Sequence, residues 1–171
     1  KKKSYILKPQ KLVRGNADRE IKNSLHKLEG ELYCGGQDHF YLEGQIAFTI
    51  PKEDNNFLIY SSTQHPSETQ QIIAKVLKQK FNSIDVQVRR IGGGFGGKES
   101  QSFIFAAISA LFSKKLNKPA KLRVDRDDDM IITGKRHDFY FKYKVGFSEK
   151  GKIKGINVKL ASRCGYSADL S

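Results

Sequence analysis

Residues 92–97 read Gly-Gly-Gly-Phe-Gly-Gly, and this string constrains the chain more than any other feature. It stands between a strand pattern, IDVQVRRI (84–91), and a helical one. In the latter, Phe103, Ile104, Ala107, Ile108, Leu111 and Phe112 recur at helical spacing through about Leu116, which predicts a core helix. A strand-to-helix turn rich in glycine permits positive φ and close approach to the main chain, and free N–H groups at the helix start favour anions. Gly92, Gly94 and Gly97 satisfy GxGxxG, the spacing of a dinucleotide-binding turn. The acid that such a turn needs about 20 residues on is missing; Asn117, Lys118 and Pro119 stand there instead. A phosphate-binding P-loop is excluded as well, because Lys98 is followed by Glu99 rather than Ser or Thr. Two readings stay open, a tight turn without ligand and a loop that presents its backbone to one. Glycine is entropically expensive to order, which favours the second.

The rest of the pattern predicts an α+β fold. Residues 4–14 read as extended, and Asn16 is placed to cap a short helix, ADREIKNSL. LEGELYCGG, GQIAFTI and FLIYSS read as strands, with Pro51 ending the second. A helix is predicted from Pro66 to Gln79, its apolar stripe formed by Ile72, Ile73, Val76 and Leu77. AKLRVDR reads as a strand after Pro119. HDFYFKYKVGF (137–147) alternates strictly, with Phe139, Phe141, Tyr143, Val145 and Phe147 on one face. A turn at Glu149-Lys150-Gly151 leads to a partner strand whose Ile156, Val158 and Leu160 should point inward. The expectation is about seven strands, mostly antiparallel, and about three helices. No repeat, low-complexity stretch or long linker interrupts residues 1–171, which therefore read as a single partial domain without an internal boundary.

Totals exclude several classes. Apolar content of 38% with 11% aromatic is that of a globular chain. No apolar run approaches the roughly 18 residues of a membrane span, and no signal peptide opens the chain. Cys34 and Cys164 form neither a zinc-site nor a disulfide pattern, which fits a reducing cytoplasm. A net charge of +13 raises the alternative of a basic nucleic-acid-binding module. The lysines are spread along the chain and no RNA- or DNA-binding motif accompanies them, so the expectation is no nucleic acid. The chain opens on Lys1-Lys2-Lys3 without an initiator methionine and stops at Ser171 with no cap, which reads as a fragment.

Other candidates are weaker on their own. Glu99 suits the first turn of the helix after the loop, either complementing its dipole or facing a pocket floored by the loop. Gln37 follows Gly35-Gly36; an amide there can donate without adding charge. His39 reads as a packing histidine. Asp125, Asp127, Asp128 and Asp129 fail the calcium-loop template, with Met130 in place of glycine and Arg136 in place of the final glutamate. Acids crowding the first turn of a short helix account for them.

Taken in order, VRGNADREI, GGQDHFYLEG (35–44), RRIGGGFGGKES, DRDDDMIITGKRH and KYKVGF resemble the molybdenum-cofactor subunit of the xanthine dehydrogenase/oxidase family. The resemblance runs from about residue 9 to 171, and the short interval before GGQDHFYLEG looks like the bacterial-type subunit. It implies the N-terminal part of a molybdopterin-binding domain in an enzyme that oxidises hypoxanthine and xanthine to urate. It further implies that Gln37 hydrogen-bonds an oxygen ligand of molybdenum, that Phe95 and Gly96 lie against the molybdenum centre, and that Glu99 holds the purine. No catalytic residue and no direct metal ligand fall in this segment; the family's general base belongs further along the subunit. The full enzyme would carry 2Fe-2S clusters, FAD and NAD besides the molybdenum-molybdopterin cofactor, on an iron-sulfur/FAD subunit or domain, and would be oligomeric and cytoplasmic. Aldehyde oxidase-type hydroxylases are the alternative, although they generally lack an acid at the position of Glu99.

Overall fold

The computed structural model describes residues 5–165 and 167–169, so Lys1–Lys3 and Ser171 lie outside the described residues. The chain divides into two compact units, residues 1–37 with 137–171, and residues 38–136.

Among the described residues, the first unit is a three-stranded antiparallel sheet with one helix. Helix α1 (Ala17–Asn23) starts where the sequence predicts, with the Asn16 side chain accepting from the Arg19 amide at 3.0 Å. Strand β1 (His26–Cys34) pairs with β6 (Asp138–Phe147), and β6 with β7 (Ile153–Arg163). Register sets Leu28, Val145 and Ile156 in one row and Leu32, Phe141 and Leu160 in another, so the predicted apolar face exists. It is not an inward face. Ile156, Val158 and Leu160 are 52%, 51% and 59% exposed. The reason is where α1 sits. It lies on the opposite face, where Gly146 and Gly155 leave room for it: a Cβ on Gly146 would meet Ser24 and Ile21, and one on Gly155 would meet the Ala17 carbonyl.

The second unit is a four-stranded mixed sheet with two longer helices on one face. Its strands are β2 (Ile46–Pro51), β3 (Phe57–Ser61), β4 (Ile84–Gln87) and β5 (Ala120–Arg123), ordered β4-β3-β2-β5, with β3 and β4 parallel. Helices α2 (Pro66–Leu77) and α3 (Ser102–Leu116) cover it, and α4 (Arg126–Ile132) follows β5. The class is α+β as expected, with four α-helices among the described residues: the three periodic ones and, as expected for the acidic run, a short one that its acids open. Ala47, Phe57, Ile59, Ile73, Ala74, Leu77, Ile84, Ala106 and Ala110 make its core.

Three sequence expectations shift here. In α2 the buried stripe is Thr69, Ile73, Ala74 and Leu77, while Val76 is exposed; Lys78 then ends the helix in the left-handed region at φ 52°. In α3 the buried face is Ser102, Phe105, Ala106, Ser109, Ala110 and Ser113, and Ile104, Leu111 and Phe112 are exposed. Small residues win that face because the helix sits close on the sheet, where Ser109 Oγ donates to the Ala120 carbonyl at 2.8 Å and contacts Thr49 Oγ1 at 2.9 Å. Strand β4 stops at Gln87, not residue 91. Its parallel partner offers only Phe57–Tyr60, and Arg89 instead places its guanidinium 4.7 Å from the centre of the Tyr60 ring.

Candidate cofactor-facing loop

Beyond β4 the chain leaves the sheet and turns through the glycine string into α3. Gly92, Phe95 and Gly96 take positive φ values of 68°, 52° and 90°. Turn bonds tighten the string, Gly97 N–H to the Gly94 carbonyl (2.8 Å) and Glu99 N–H to that of Gly96 (3.4 Å). What the glycines accommodate differs along the loop. A Cβ on Gly97 would lie 2.6 Å from Tyr41 and 2.7 Å from His39, and one on Gly94 would lie 2.7 Å from Gln64 Oε1. One on Gly92 would strike Glu43. These glycines serve packing against the protein's own side chains. Gly96 is the exception, since a Cβ there would meet only His39, at 3.8 Å. Phe95 beside it is 74% exposed.

Beneath the loop lies a buried polar cluster. Tyr41 Oη donates to Asp129 Oδ1 at 2.6 Å, and the Gln45 amide donates to Asp129 Oδ2 at 3.0 Å. Gln45 Nε2 donates to Tyr41 Oη and to the Gly97 carbonyl, both at 3.0 Å. Gln45 Oε1 is buried with no partner among the described residues. Burial, then the bond to Asp129, pushes the Tyr41 phenol up to about 12. Lys98 is fully buried; its ammonium donates to the Ile91 carbonyl at 2.7 Å and stands 4.7 Å from the Tyr41 ring centre. Burial pushes the lysine down from its ordinary value, and the charges of Glu43 and Asp129 oppose that shift. Glu43 accepts from the Gly93 amide at 2.8 Å, which holds its carboxyl below the usual range.

Segment 38–41 is fixed from the other side. Asp38 accepts from the Phe40 amide at 2.7 Å and pairs with Arg126 (3.3 Å) and Lys135 (3.1 Å). Asp125 caps α4, accepting from the Asp127 amide at 3.1 Å, as acids at a helix start do. Asp129 stands in the first turn of a short helix as expected, but its burial against Tyr41 was not foreseen. Its spacing to Thr133, whose hydroxyl also bonds it at 3.1 Å, is one helical turn and was the available signal.

Phe95, Gly96 and Glu99 are brought together in the loop. Glu99 is half-buried, and its carboxylate has no partner among the described residues. Gln37 belongs to the first unit, where it is exposed. A different glutamine attends the loop: Gln64, itself exposed, accepts on Oε1 from the amides of Gly96 (2.9 Å) and Lys98 (3.2 Å). A broad concavity of about 830 Å³ lies instead at the far end of β2, lined by Pro51, Lys52, Glu53, Asn117 and Pro119. Its lining comes from the turns after β2 and α3 and includes none of Gln37, Phe95, Gly96 or Glu99.

Glu99, without a partner among the described residues, thus stands next to the exposed Phe95–Gly96 apex. The chain belongs to the molybdopterin cofactor-binding domain family, whose model matches residues 2–171. It is 43% identical over 169 residues to a xanthine dehydrogenase/oxidase of Gallus gallus, covering 98% of this chain and 12% of that protein. It is 41% identical over 169 residues to aldehyde oxidase 2 of Cavia porcellus, covering 98% of this chain and 13% of that one. Among solved structures, an aldehyde oxidoreductase from Desulfovibrio gigas shares the fold, with a TM-score of 0.78 at 21% identity over 86% of this chain and 16% of that chain. The chain thus spans about an eighth of the curated relatives it matches. Among the described residues no helix is long and apolar enough to cross a membrane.

The residues fit the cofactor that the family implies. Gly96 turns its open side outward, and among the described residues nothing accepts from the Phe95 amide.

Proposed function

We propose that the polypeptide carrying this chain is a molybdenum hydroxylase of the xanthine dehydrogenase type, oxidising hypoxanthine and xanthine to urate. Here the chain forms one wall of the site, with Phe95 and Gly96 against the cofactor and Glu99 holding the purine. The observation that carries this reading is Glu99: a half-buried carboxylate without a partner among the described residues, next to the loop apex. An acid left in that state is stabilised by a ligand with ring N–H donors, as a purine has and a simple aldehyde lacks.

When bound, the molybdenum-molybdopterin cofactor supplies the two-electron redox chemistry; this chain orients and binds. On the resemblance, Gln37 would hold the cofactor by donating from its side-chain amide. Gln64 has a competing claim on geometry, since its carbonyl is tied to Gly96 and its –NH2 remains to donate. The 2Fe-2S clusters, FAD and NAD belong to other parts of an oligomeric, cytoplasmic enzyme, as does the general base. Residues 1–171 act within it as one partial domain.

The test is Glu99→Ala in the full-length enzyme. Loss of a hydrogen bond to a charged group should weaken purine turnover by about 1.5–3 kcal/mol in kcat/KM, with molybdenum content retained. The 41% identity to an aldehyde oxidase favours a second reading. Aldehyde turnover in the wild type, indifferent to Glu99→Ala and without purine turnover, would establish that one instead. Gln37→Ala and Gln64→Ala, assayed for molybdenum content, decide between the two glutamines.

A further inference from the structure

Lys98 sits next to the loop but is no P-loop lysine, and neither cofactor nor substrate contact explains it. It is a fully buried charged side chain, and its ammonium bonds the Ile91 carbonyl at 2.7 Å. Ile91 and Lys98 are the residues that flank the glycine string, so this one bond spans its neck. The main chain of Lys98 is fastened as well. Its N–H donates to Gln64 Oε1 at 3.2 Å, and its carbonyl accepts from the Gln64 amide (2.8 Å), Ser102 Oγ (3.1 Å) and Thr63 Oγ1 (3.3 Å).

A neck of this kind needs such a device. Strand β4 ends at Gln87, so residues 88–91 have no ladder to hold them, and the string itself is the most flexible composition available. An apolar side chain at 98 would fill the space yet leave the Ile91 carbonyl without a donor. A buried ammonium persists only where it is paired and backed. Here the Tyr41 ring, itself pinned by Asp129, lies 4.7 Å from it.

We propose that Lys98 is the positioning residue of the glycine loop: by tying its own end of the string to Ile91 over the Tyr41 ring, it fixes Phe95, Gly96 and the adjoining Glu99 in their working geometry. What that apex meets rests on the proposed function; the strap itself rests on the geometry alone.

The test uses the full-length polypeptide with Lys98→Met and, because Met could impair folding, Lys98→Gln, which keeps a donor without charge. Limited chymotrypsin digestion reads cleavage after exposed Phe95 against Phe81, 53% exposed in the same unit, as the internal control. In protein freed of cofactor, Lys98→Met should speed cleavage at Phe95 by about tenfold relative to Phe81, and Lys98→Gln by less, because local opening governs nicking. A general loss of stability would raise both sites together. In the loaded enzyme, kcat/KM should fall about tenfold to a hundredfold with molybdenum content retained, since small misplacements of positioning groups are that costly. Unchanged relative cleavage at Phe95 in both variants overturns the proposal. Faster cleavage with unaltered kcat/KM keeps the strap and counts against the cofactor reading of the loop.

Discussion

Gly97→Ala isolates the fit between the loop and its floor. Gly97 does not have a left-handed φ, so alanine there pays no backbone penalty and the whole effect is steric. The new Cβ would stand 2.6 Å from Tyr41 Cε1 and 2.7 and 2.8 Å from His39 Cγ and Nδ1. Tyr41 cannot swing aside cheaply, because its hydroxyl bonds Asp129 at 2.6 Å and receives Gln45 at 3.0 Å. Overpacking of this kind costs about 1–3 kcal/mol. Gly35→Ala is the matched control, with ordinary φ and nothing within 4 Å, and should stay within about 0.5 kcal/mol of wild type. Gly96→Ala has space but φ +90°, so it should lose about 1–2 kcal/mol through the backbone alone. Urea unfolding at equilibrium distinguishes the three. A Tyr41→Leu background should shrink the Gly97→Ala effect, through a coupling of about 0.5–3 kcal/mol, and leave the Gly96→Ala effect intact. If Gly97→Ala behaves like Gly35→Ala, the loop does not rest on Tyr41 and His39.

Other expectations follow from the same cluster. Asp129→Ala strands Tyr41 Oη and the Gln45 amide and should destabilise by about 1–3 kcal/mol for each orphaned group; Asp129→Asn, which keeps an acceptor, should lose less in the same denaturant assay. The Tyr41 phenol titrates near 12 when folded and near its ordinary value of 10 when unfolded. The folded state therefore holds its proton longer, and stability is present below pH 10 and lost as pH rises toward about 12; ultraviolet titration of Tyr41→Phe against wild type checks this. Ile156→Thr and Val158→Thr, on the exposed sheet face, should each change stability by no more than about 0.5 kcal/mol, read from thermal melts.

Element existence was legible because local pattern sets it: strict alternation in 138–147, Pro66 opening α2 and Asn16 capping α1 are all short-range signals. Which face is buried was not, because it depends on neighbours. In α3 the larger apolar residues suggested one face, but close approach to β2 selected serine and alanine on the other. In β7 the alternation was read correctly as a face, yet α1 occupies the opposite side. Of the site, the loop and Glu99 could be picked out as a string. Gln64, Tyr41 and Asp129 could not, since they come from two separate loops and a helix that meet only in three dimensions.

The glycine string carries less ligand information than its spelling suggests. Gly92, Gly94 and Gly97 are explained by Glu43, Gln64, Tyr41 and His39 lying against them, and a loop of the same composition could pack this way with nothing bound. Only the outward side points to a ligand: an exposed aromatic at φ 52°, a glycine at φ 90° with open space before it, and an acid one turn further with no partner among the described residues. Folding alone rewards none of the three, since each departs from what stability would choose at a free surface. A floor that tight makes sense if it holds such an apex still, and the buried Lys98 at the neck is where that rigidity is most exposed to a single substitution.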